Sequence, residues 1–575
     1  MGKEKISILF PEDIEASYKM LSDTACHDLG LDFICSKLNS KPSEQRLLMN
    51  IMAQMTDSAE VARFRSDVFD DIYNYPAMRE RLMELLDHVK FFKDYGSFKK
   101  DFDTRTSLWE LLHRLSELKD YIETVEAIME CLSDENIKSK GLVKLRDYIT
   151  AIYNDNAYKE MKKDIEELRA DTSNLKSITV GINLNPSFEA ESVGLVSVNN
   201  KAFKSSGILG NFAEAISTKE GVKNGNDWNG EYRYHPISRQ GAGGVLETAE
   251  KLGSFMSLRA TPVVGPAMAA TVAGIPDGDG TGQITHYFDK EVSQLLSHVT
   301  KKLAKLIGKY VNISINEIVA LIPELFYYTS WAEYIRFLVD SGRTFCKSKA
   351  SESMEDGLRM KARGIYNLKL VSAEEDVSIV PNDLDFGDDS TVYILTGANR
   401  GGKTTITQAV GLLYVLAQGG IYVPGESFEY VPVDCIFTHY PADEDKTMDL
   451  GRLGEECIRF GRLFDECTEK SLLLLNETFS TTSFEEGYYI ARDAVRAIIS
   501  KGSRTIYNTH MHKLAVEIDT LNAESEKYKA ASLVVKSEEG KRSFKVVRTA
   551  PEGMSYAKDI AEKYGVTYEM LTKKK

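Results

Sequence analysis

The residues best suited to chemistry form a glycine-rich loop with one lysine, in the stretch YILTGANRGGKTTITQAV. Gly397 opens the spacing G-x-x-x-x-G-K-[ST], which closes with Lys403 and Thr404, after a predicted strand and before a predicted helix. In such a loop, glycines let backbone N–H groups surround phosphates, and the helix start adds positive potential. Lys403 reaches the β- and γ-phosphates and the Thr404 hydroxyl ligates magnesium, so the motif predicts a site for ATP with Mg²⁺. The predicted nucleotide contacts in the loop are Gly397, Ala398, Asn399, Arg400, Gly401, Gly402, Lys403, Thr404 and Thr405.

A second polar pair follows four leucines in the stretch SLLLLNETFSTTSFEEG, residues 471–487. In nucleotide hydrolases the strand beside the phosphate loop ends in an acidic pair, and the first acid helps to hold magnesium. Here the pair is Asn476 and Glu477. The side-chain oxygen of Asn476 can accept the hydrogen bond from a metal-bound water without the charge of Asp, so geometry is kept while the field weakens. Glu477 is the predicted general base or water-orienting carboxylate. A plain core strand followed by a surface Glu is the alternative.

A third polar group ends the stretch RTIYNTHMH, where Thr509 and His510 follow a predicted strand. This position suits a side chain that senses the γ-phosphate or orients the attacking water. The alternative for a lone histidine at a strand end is a capped or solvated side chain. Taken with the loop and Glu477, His510 completes the site of a slow ATPase. If Asn476 prevents turnover, the chain is instead a nucleotide-gated binding protein.

Residues 391–510 alternate short apolar runs with helical segments, a pattern typical of a largely parallel sheet covered by helices. The predicted strands are VYILT (392–396), VDCIFTH (433–439), LLLL (472–475) and RTIYNT (504–509). The LLLL strand places its polar pair at the carboxyl edge of the sheet, facing the phosphate loop.

The upstream part of the chain is predicted to be helical with an insert. Helical periodicity runs from about 45 to 170 and is clearest in LWELLHRLSELKDYIETVEAIMECL. Near 177 the composition becomes β-like, and a glycine-rich span continues to about 285. Helical periodicity then returns, so helices bracket a β-rich module.

Length and composition restrict the class of protein. A chain of 575 residues that is 43% hydrophobic and 27% charged is expected to form several folded domains. We expect no membrane span and no secretory signal, because uncharged runs are short and the N-terminus lacks an apolar core. Seven cysteines without CxxC spacing fit a reducing cytosol, which predicts a cytoplasmic protein. The net charge of −15 argues against a broadly basic nucleic-acid coat.

The insert carries much less negative charge than its length would predict from the net charge of −15 of the whole chain. Between 176 and 290 there are ten Lys and Arg against eleven Asp and Glu. Basic residues interleave with aromatic ones there, a pattern that suits contact with a nucleic-acid backbone together with base stacking. A solvated β-rich module with aromatic residues in its core is the alternative. The candidate nucleic-acid contacts are Lys201, Lys204, Arg233 and Arg239.

These motifs together resemble one family. TGANRGGKTT is similar to the TGPNMGGKST loop of the MutS family of DNA mismatch repair ATPases. The similarity continues through 365–568, in IVPNDLDF, GGIYVPGESFEYVPVDCIFTHY, DLGRLGEE, NETFSTTSFEEG, NTH and GMSYAKDIAEKYGV. Upstream, LLMNIMAQMTDSAEVARFRSDVFDDI and GLVKLRDYITAI resemble the lever helices of that family, and LKSITVGINLNPSFEAESVGLVSV resembles the start of its DNA-gripping clamp.

The resemblance implies a multidomain protein whose α-helical lever domain carries an inserted clamp and precedes an α/β P-loop ATPase domain of the ABC type. The implied domains are a helical core or lever (1–175), a clamp-like β-rich insert (176–290), returning lever helices (291–350) and a MutS-like ATPase domain (351–575). It also implies an adenine site near IVPN, with Val380 and Asn382, and a homodimer with composite ATP sites.

The implied function is an ATP-switched clamp on double-stranded or branched DNA in repair or recombination, specific for branched or mismatched structures. We expect a short member without mismatch-recognition, connector or Smr domains. Gly451 stands where the repair proteins have Ser in the signature loop, which weakens the expected contact to a partner's γ-phosphate. Because some MutS relatives without mismatch domains associate with stalled ribosomes, a ribosome- or RNA-associated ATPase is the alternative.

Overall fold

The structure is a computed structural model in which the chain divides into two compact units. Residues 1–86, 131–147 and 320–575 form the first unit, and residues 87–130 and 148–319 form the second. The structure describes residues 6–11, 14, 17–89, 108–133, 136–172, 177–184, 186, 190–199, 297–310, 318, 320–373, 377–398, 400–441, 451–538, 541–551 and 564–572.

Most of the longer described ranges contain helices. In chain order they are α1 Asp23–Leu29, α2 Leu31–Leu38, α3 Pro42–Met52, α4 Ala59–Asn74, α5 Pro76–Val89, α6 Leu108–Cys131, α7 Lys140–Asn154, α8 Asn156–Thr172, α9 Ser297–Lys309, α10 Ile322–Asp340, α11 Leu368–Ala373, α12 Lys403–Gln418, α13 Arg452–Glu466, α14 Phe484–Lys501, α15 His512–Val516, α16 Ile518–Ala523 and α17 Tyr568–Thr572. None of these helices is long and apolar enough to cross a membrane.

The strands of the same ranges form several sheets. They are β1 Lys19–Met20, β2 Gln54–Met55, β3 Ser177–Leu184, β4 Ala190–Asn199, β5 Phe345–Cys346, β6 Lys349–Ala350, β7 Leu358–Ile365, β8 Asn382–Gly387, β9 Val392–Gly397, β10 Val423–Pro424, β11 Ser427–Tyr430, β12 Ile436–His439, β13 Leu472–Asn476, β14 Arg504–Asn508, β15 Ala530–Glu538 and β16 Lys541–Arg548.

The second unit contains long helices held together by apolar and polar contacts. In α6, Leu111, Leu118 and Val125 of the predicted helical periodicity are buried. The hydroxyl of Tyr310, directly after α9, donates to the Asp164 carboxylate in α8 over 2.7 Å. In the same unit β3 and β4 pair in an antiparallel ribbon. The β character predicted from 177 is therefore present in this ribbon, while most of the predicted insert lies outside the described residues.

The first unit is organised around a six-stranded sheet with the order β12-β13-β14-β9-β15-β16. Neighbouring strands are parallel from β12 through β15, and β16 returns antiparallel to β15. The four strands predicted from the sequence are confirmed. The ends of β9, β13 and β14 differ from the prediction by one residue, and the start of β12 differs by three. The strand predicted from 433 begins at Ile436, because the Val433 N–H donates to the Gln418 side chain over 3.0 Å rather than joining the sheet.

Helices cover both faces of this sheet, as its alternating side chains require. Leu473 and Leu475 of β13 lie in one buried cluster with Val495 and other apolar residues of α14. The intervening Leu474 faces the other side, where α12 lies. Gly411 allows α12 to approach closely, because a Cβ there would lie 2.7 Å from Leu474 Cδ1.

The end of α12 is fixed by a buried arginine of α4. Arg65 is 0% exposed and its guanidinium donates to the carbonyls of Leu9 (2.9 Å) and Gln418 (3.0 Å). Gly420 lies directly against it with φ +84°, and a Cβ there would lie 2.6 Å from the Arg65 carbonyl carbon. The helix that starts at the phosphate loop is thus anchored at its far end to the N-terminal helices of the same unit.

Candidate functional site

The phosphate loop connects β9 to α12 through backbone conformations that favour glycine. Gly397 has φ +140°, and a Cβ there would lie 2.9 Å from Val535 Cβ on the neighbouring strand. Gly402 caps α12 with φ +93°. Arg400 also adopts a positive φ of 58° and is exposed. The loop is therefore shaped by its glycines as the sequence predicted, while Asn399 lies outside the described residues.

Lys403 is the buried cation of this loop. Its side chain is 5% exposed, and Nζ donates to the carbonyls of Gly397 (3.0 Å) and Ala398 (3.2 Å). Burial lowers the pKa of the Lys403 ammonium, and the Glu477 carboxylate opposes that effect. The ammonium is thus held at the loop by neutral carbonyl oxygens, and an anion such as a phosphate would compensate its charge better.

Three polar side chains meet beside the first turn of α12. Thr404 Oγ1 donates to Asn476 Oδ1 over 3.0 Å, at the end of β13. Asn508, at the end of β14, donates from Nδ2 to the same Asn476 oxygen and to Thr404 Oγ1 at 3.3 Å. Because β13 and β14 are parallel and pair Asn476 with Asn508, the two amides stand side by side at the carboxyl edge of the sheet.

The donor set of this cluster fits magnesium, which prefers hard oxygen ligands. Thr404 and Asn476 supply a hydroxyl and an amide oxygen. Asn508 Oδ1 is buried with no hydrogen-bond partner in the described part of the chain, and such an oxygen can accept from a water bound to an ion. Among the described residues no group of three or more His, Cys, Asp and Glu could hold a metal ion.

Glu477 and His510 form a hydrogen-bonded pair at the same edge. His510 Nε2 lies 2.6 Å from Glu477 Oε1, and both side chains remain accessible, at 39% and 33% exposure. The backbone of Glu477 has φ +53°. Its N–H donates to the Asn508 carbonyl over 2.8 Å, and this hydrogen bond stabilises that conformation. The carboxylate predicted as a base and the predicted histidine are thus brought together, within reach of solvent water.

His439 is a buried neighbour of this site, and the sequence predicted it only as part of a strand. Its Nε2 lies 3.2 Å from the Glu456 carbonyl of α13, and its Nδ1 lies 3.1 Å from Thr478 Oγ1. A carbonyl can only accept, so Nε2 carries the proton. Burial lowers the pKa of His439 to about 4, and the Arg459 charge adds to the shift. His439 therefore joins the loop after Glu477 to the helix that follows Gly451.

Asn508 was also missed, because the apolar pattern predicts it only as one residue of the strand RTIYNT. The sequence feature that could have identified Asn508 is its position near the end of the strand, two residues before His510. The polar pair of the neighbouring strand occupies the same position. A comparison of strand ends would have indicated its position, but its pairing with Asn476 depends on the strand order.

The predicted adenine region is built around Asn382. The Asn382 amide donates to the carbonyls of Val380 and Phe544, each at 3.1 Å, and its oxygen accepts from the Val546 N–H at 2.8 Å. Phe544 is partly exposed with φ +56°, and a Cβ at Gly402 would lie 3.3 Å from its ring. Asn382 thus uses its side chain to hold Val380 and Phe544 beside the phosphate loop.

Of the remaining predicted site residues, the structure describes those of the phosphate loop but not the candidate nucleic-acid contacts. Thr405 lies in the first turn of α12, where its carbonyl accepts from Asn367 Nδ2 over 2.8 Å, and the Gly401 N–H donates to the Ala398 carbonyl. The four candidate nucleic-acid contacts lie outside the described residues. They are Lys201, Lys204, Arg233 and Arg239.

Two family models match separate parts of the sequence. One is described as MutS domain V and matches residues 393–574, and the other is described as MutS2 N-terminal domain and matches residues 57–210. The first match covers the phosphate loop together with Asn476, Glu477 and His510. The second covers α4 and the β3–β4 ribbon.

Curated relatives agree with these matches. The chain is 34% identical over 206 residues to the DNA mismatch repair protein MutS of Chlorobium chlorochromatii, which covers 36% of this chain and 23% of that protein. It is 31% identical over 188 residues to DNA mismatch repair protein MutS 2 of Halobacterium salinarum (32% and 21%). It is 30% identical over 205 residues to DNA mismatch repair protein MSH7 of Arabidopsis thaliana (34% and 18%). The chain spans about a fifth of the length of these curated relatives. The resemblance seen in the phosphate loop is therefore confirmed, and this chain belongs to the MutS family.

Proposed function

We propose that this protein binds ATP with Mg²⁺ at the loop 397–405 and hydrolyses it slowly. The observation that carries the proposal is the convergence of three kinds of group at one edge of a parallel sheet. These are the buried ammonium of Lys403, the oxygen cluster of Thr404 and Asn476, and the accessible carboxylate of Glu477. Charge neutralisation, metal binding and water activation are the three requirements of nucleotide hydrolysis.

Each group has one role in the proposed reaction. Lys403 and the first turn of α12 hold the β- and γ-phosphates. Magnesium, held by Thr404 and Asn476, would withdraw charge from the phosphate oxygens. Glu477 orients the attacking water and takes its proton, and His510 holds the carboxylate in place through the 2.6 Å contact. Val380 and Asn382 contribute to the adenine site.

Slow turnover follows from the amide at position 476. An Asp at this place adds a negative charge beside the metal, whereas the Asn476 oxygen adds only a dipole. The weaker field stabilises the charge of the transition state less, so hydrolysis is slowed and the protein spends long periods with ATP bound. Such a protein is suited to act as a switch.

We propose DNA as the partner that this switch controls, with double-stranded or branched DNA as the ligand. The support is membership of a family whose matched relatives carry the name DNA mismatch repair protein, together with the match of the MutS2 N-terminal domain to the helical part. In this proposal residues 1–175 and 291–350 form lever helices, 176–290 form a clamp and 351–575 form the ATPase domain.

A homodimer is the proposed assembly. Apolar side chains are exposed at the start of α14 and on α13, where Phe484, Tyr489 and Ile458 face solvent. The loop before α14 is linked to α13 within the chain, because Thr481 donates to the Glu456 carboxylate over 3.0 Å. Sedimentation of the Glu477→Ala variant with and without ATP tests the assembly. A nucleotide-dependent dimer is expected, and a monomer under both conditions would contradict it.

Calorimetric titration with a non-hydrolysable ATP analogue and Mg²⁺ tests the nucleotide site. The wild type should bind, and Lys403→Ala should abolish binding because the exposed Arg400 cannot replace a buried ammonium held at the centre of the loop. Lys349→Ala, which removes an exposed lysine of β6, is the matched control and should bind as wild type. Equal affinity of wild type and Lys403→Ala would exclude this loop as the site.

Gel shifts at increasing salt test the DNA partner, with a four-way junction, a linear duplex and a mismatched duplex as probes. Replacing Lys201, Lys204, Arg233 and Arg239 together with Ala should weaken binding and lower the salt slope by up to roughly one unit for each lost phosphate contact. Nucleotide binding should survive. Binding to ribosomes in co-sedimentation, with no shift of any DNA probe, would replace DNA with the ribosome- or RNA-associated alternative.

A further inference from the structure

We infer that Asn508 is a positioning residue of the magnesium site, which orients the amide of Asn476 so that its oxygen faces Thr404. This role rests on the proposed function. It adds an explanation of how an amide at position 476 can take part in metal binding.

A carboxylate at position 476 would need no orientation, because both of its oxygens accept hydrogen bonds. An amide has one oxygen that accepts and one nitrogen that only donates. If the Asn476 amide turned over, its NH₂ group would face Thr404 and would repel a cation. The chain therefore requires a neighbouring group that favours one of the two orientations.

Asn508 provides that group. Its Nδ2 donates to Asn476 Oδ1, and the Thr404 hydroxyl donates to the same oxygen over 3.0 Å. Two donors converge on the Asn476 oxygen, whereas an NH₂ group in its place would face the Asn508 NH₂, which only donates. Asn508 is 0% exposed and lies level with Asn476 in the parallel strands, so the sheet fixes its backbone. Its Nδ2 also donates to Thr404 Oγ1 over 3.3 Å, which favours the orientation of the Asn508 amide that faces Asn476 with its nitrogen.

The cluster of Thr404, Asn476 and Asn508 has no formal charge, and Asn508 Oδ1 is buried without a partner among the residues that the structure describes. A buried unpaired acceptor costs free energy, which a donor would recover. A magnesium ion brings donors in its bound waters, and the phosphates bring the negative charge that the cluster lacks. The metal is therefore expected to bind together with the nucleotide and only weakly without it.

The test is the magnesium dependence of ATP binding, measured with a fluorescent ATP analogue in EDTA and at increasing Mg²⁺ concentration. Asn508→Ala should raise the Mg²⁺ concentration of the half-maximal effect by roughly three- to tenfold, the range expected for one lost hydrogen bond. Affinity in EDTA should remain unchanged. Asn508→Val, which fills the buried volume, should behave as Asn508→Ala, and Asn508→Ser, which keeps a donor, should retain most of the magnesium effect.

Two further variants separate positioning from a general structural role. Ser532→Ala removes a buried hydroxyl that has no partner in the described ranges, on another strand of the sheet, and should leave the magnesium effect unchanged. In the background of Asn476→Asp the symmetric carboxylate needs no orientation, so adding Asn508→Ala should have little effect on the magnesium requirement. An equal loss in both backgrounds would overturn the inference.

An unchanged magnesium requirement in Asn508→Ala, with ATP still bound, would also overturn the inference but would leave the proposed function intact. A wild-type protein that does not bind ATP at any Mg²⁺ concentration would instead contradict the proposed function itself. The two failures are therefore distinguishable in one set of titrations.

Discussion

His510 Nε2 lies 2.6 Å from Glu477 Oε1, so the histidine after β14 and the carboxylate after β13 form one hydrogen-bonded pair. Parallel neighbouring strands bring the two residues to the same edge of the sheet. The positive φ of Glu477 and its backbone hydrogen bond to Asn508 direct the carboxylate toward the histidine. In the proposed reaction this pair accepts the proton of the attacking water.

His510→Ala should slow phosphate release by about tenfold, the effect of one lost hydrogen bond to a charged group. ATP affinity should be unchanged, because the histidine acts through Glu477 rather than on the phosphates. Steady-state rates and calorimetric affinities measure the two quantities separately. His27→Ala, at an exposed position of α1, is the control. A loss of ATP binding in His510→Ala would contradict the assigned role.

Asn476→Asp should leave hydrolysis intact or raise it, and should lower the Mg²⁺ concentration that hydrolysis requires. The reason is the added negative charge beside the metal, which attracts a cation more strongly than the dipole of the Asn476 amide does. Phosphate release at increasing Mg²⁺ concentration measures the effect. Complete loss of turnover in this variant would show that the amide is required for the chemistry.

His439 should make folding stability depend on pH. Burial and the Arg459 charge lower its pKa to about 4 in the folded protein, against ~6.5 in the unfolded chain. Between these values only the unfolded state binds the proton, so stability is fully present above pH ~6.5 and falls as pH falls toward 4. The contribution is at most about 3 kcal/mol. His439→Gln, which retains a donor for the Glu456 carbonyl, should flatten the dependence of the thermal midpoint on pH over this range. An unchanged slope would show that His439 is not the titrating group.

Gly420→Ala should destabilise the first unit more than Gly342→Ala does. Both glycines have positive φ, +84° and +83°, so both substitutions strain the backbone by roughly 1–2 kcal/mol. A Cβ at Gly420 would also meet the Arg65 backbone at 2.6 Å, whereas a Cβ at Gly342 would meet no described atom within 4 Å. The additional loss at Gly420 is expected to be about 1–3 kcal/mol in denaturant unfolding. Equal losses of unfolding free energy in the two variants would show that the Arg65 backbone shifts to accommodate the added Cβ.

The part of the site that could be predicted from the sequence depends on local order. A glycine-rich loop between a strand and a helix fixes where Lys403 and Thr404 lie. Because apolar runs end in polar residues at the carboxyl edge of a parallel sheet, Asn476, Glu477 and His510 could be assigned to the same place before the strand order was known.

The remaining residues depend on contacts between elements that are distant in sequence. Asn508 acquires its role only because β14 lies between β13 and β9 and pairs residue for residue with β13. His439 is buried because the loop after Glu477 and the helix α13 both pack on the end of β12. The start of β12 was predicted too early, since the tertiary contact of Val433 with Gln418 is not visible in the apolar pattern of the sequence.

The most direct test of whether Glu477 makes this chain an ATPase is a comparison of phosphate release by wild type and Glu477→Ala. The rates are measured at saturating ATP and Mg²⁺, with and without DNA. Glu477→Ala should keep the ATP affinity of wild type and release phosphate about 10²- to 10⁴-fold more slowly, the contribution of a positioned acid or base. Glu485→Ala, which removes an exposed carboxylate of α14, should turn over as wild type. A wild-type rate equal to that of Glu477→Ala under every condition would contradict the proposed catalysis and would make the chain a nucleotide-gated binding protein.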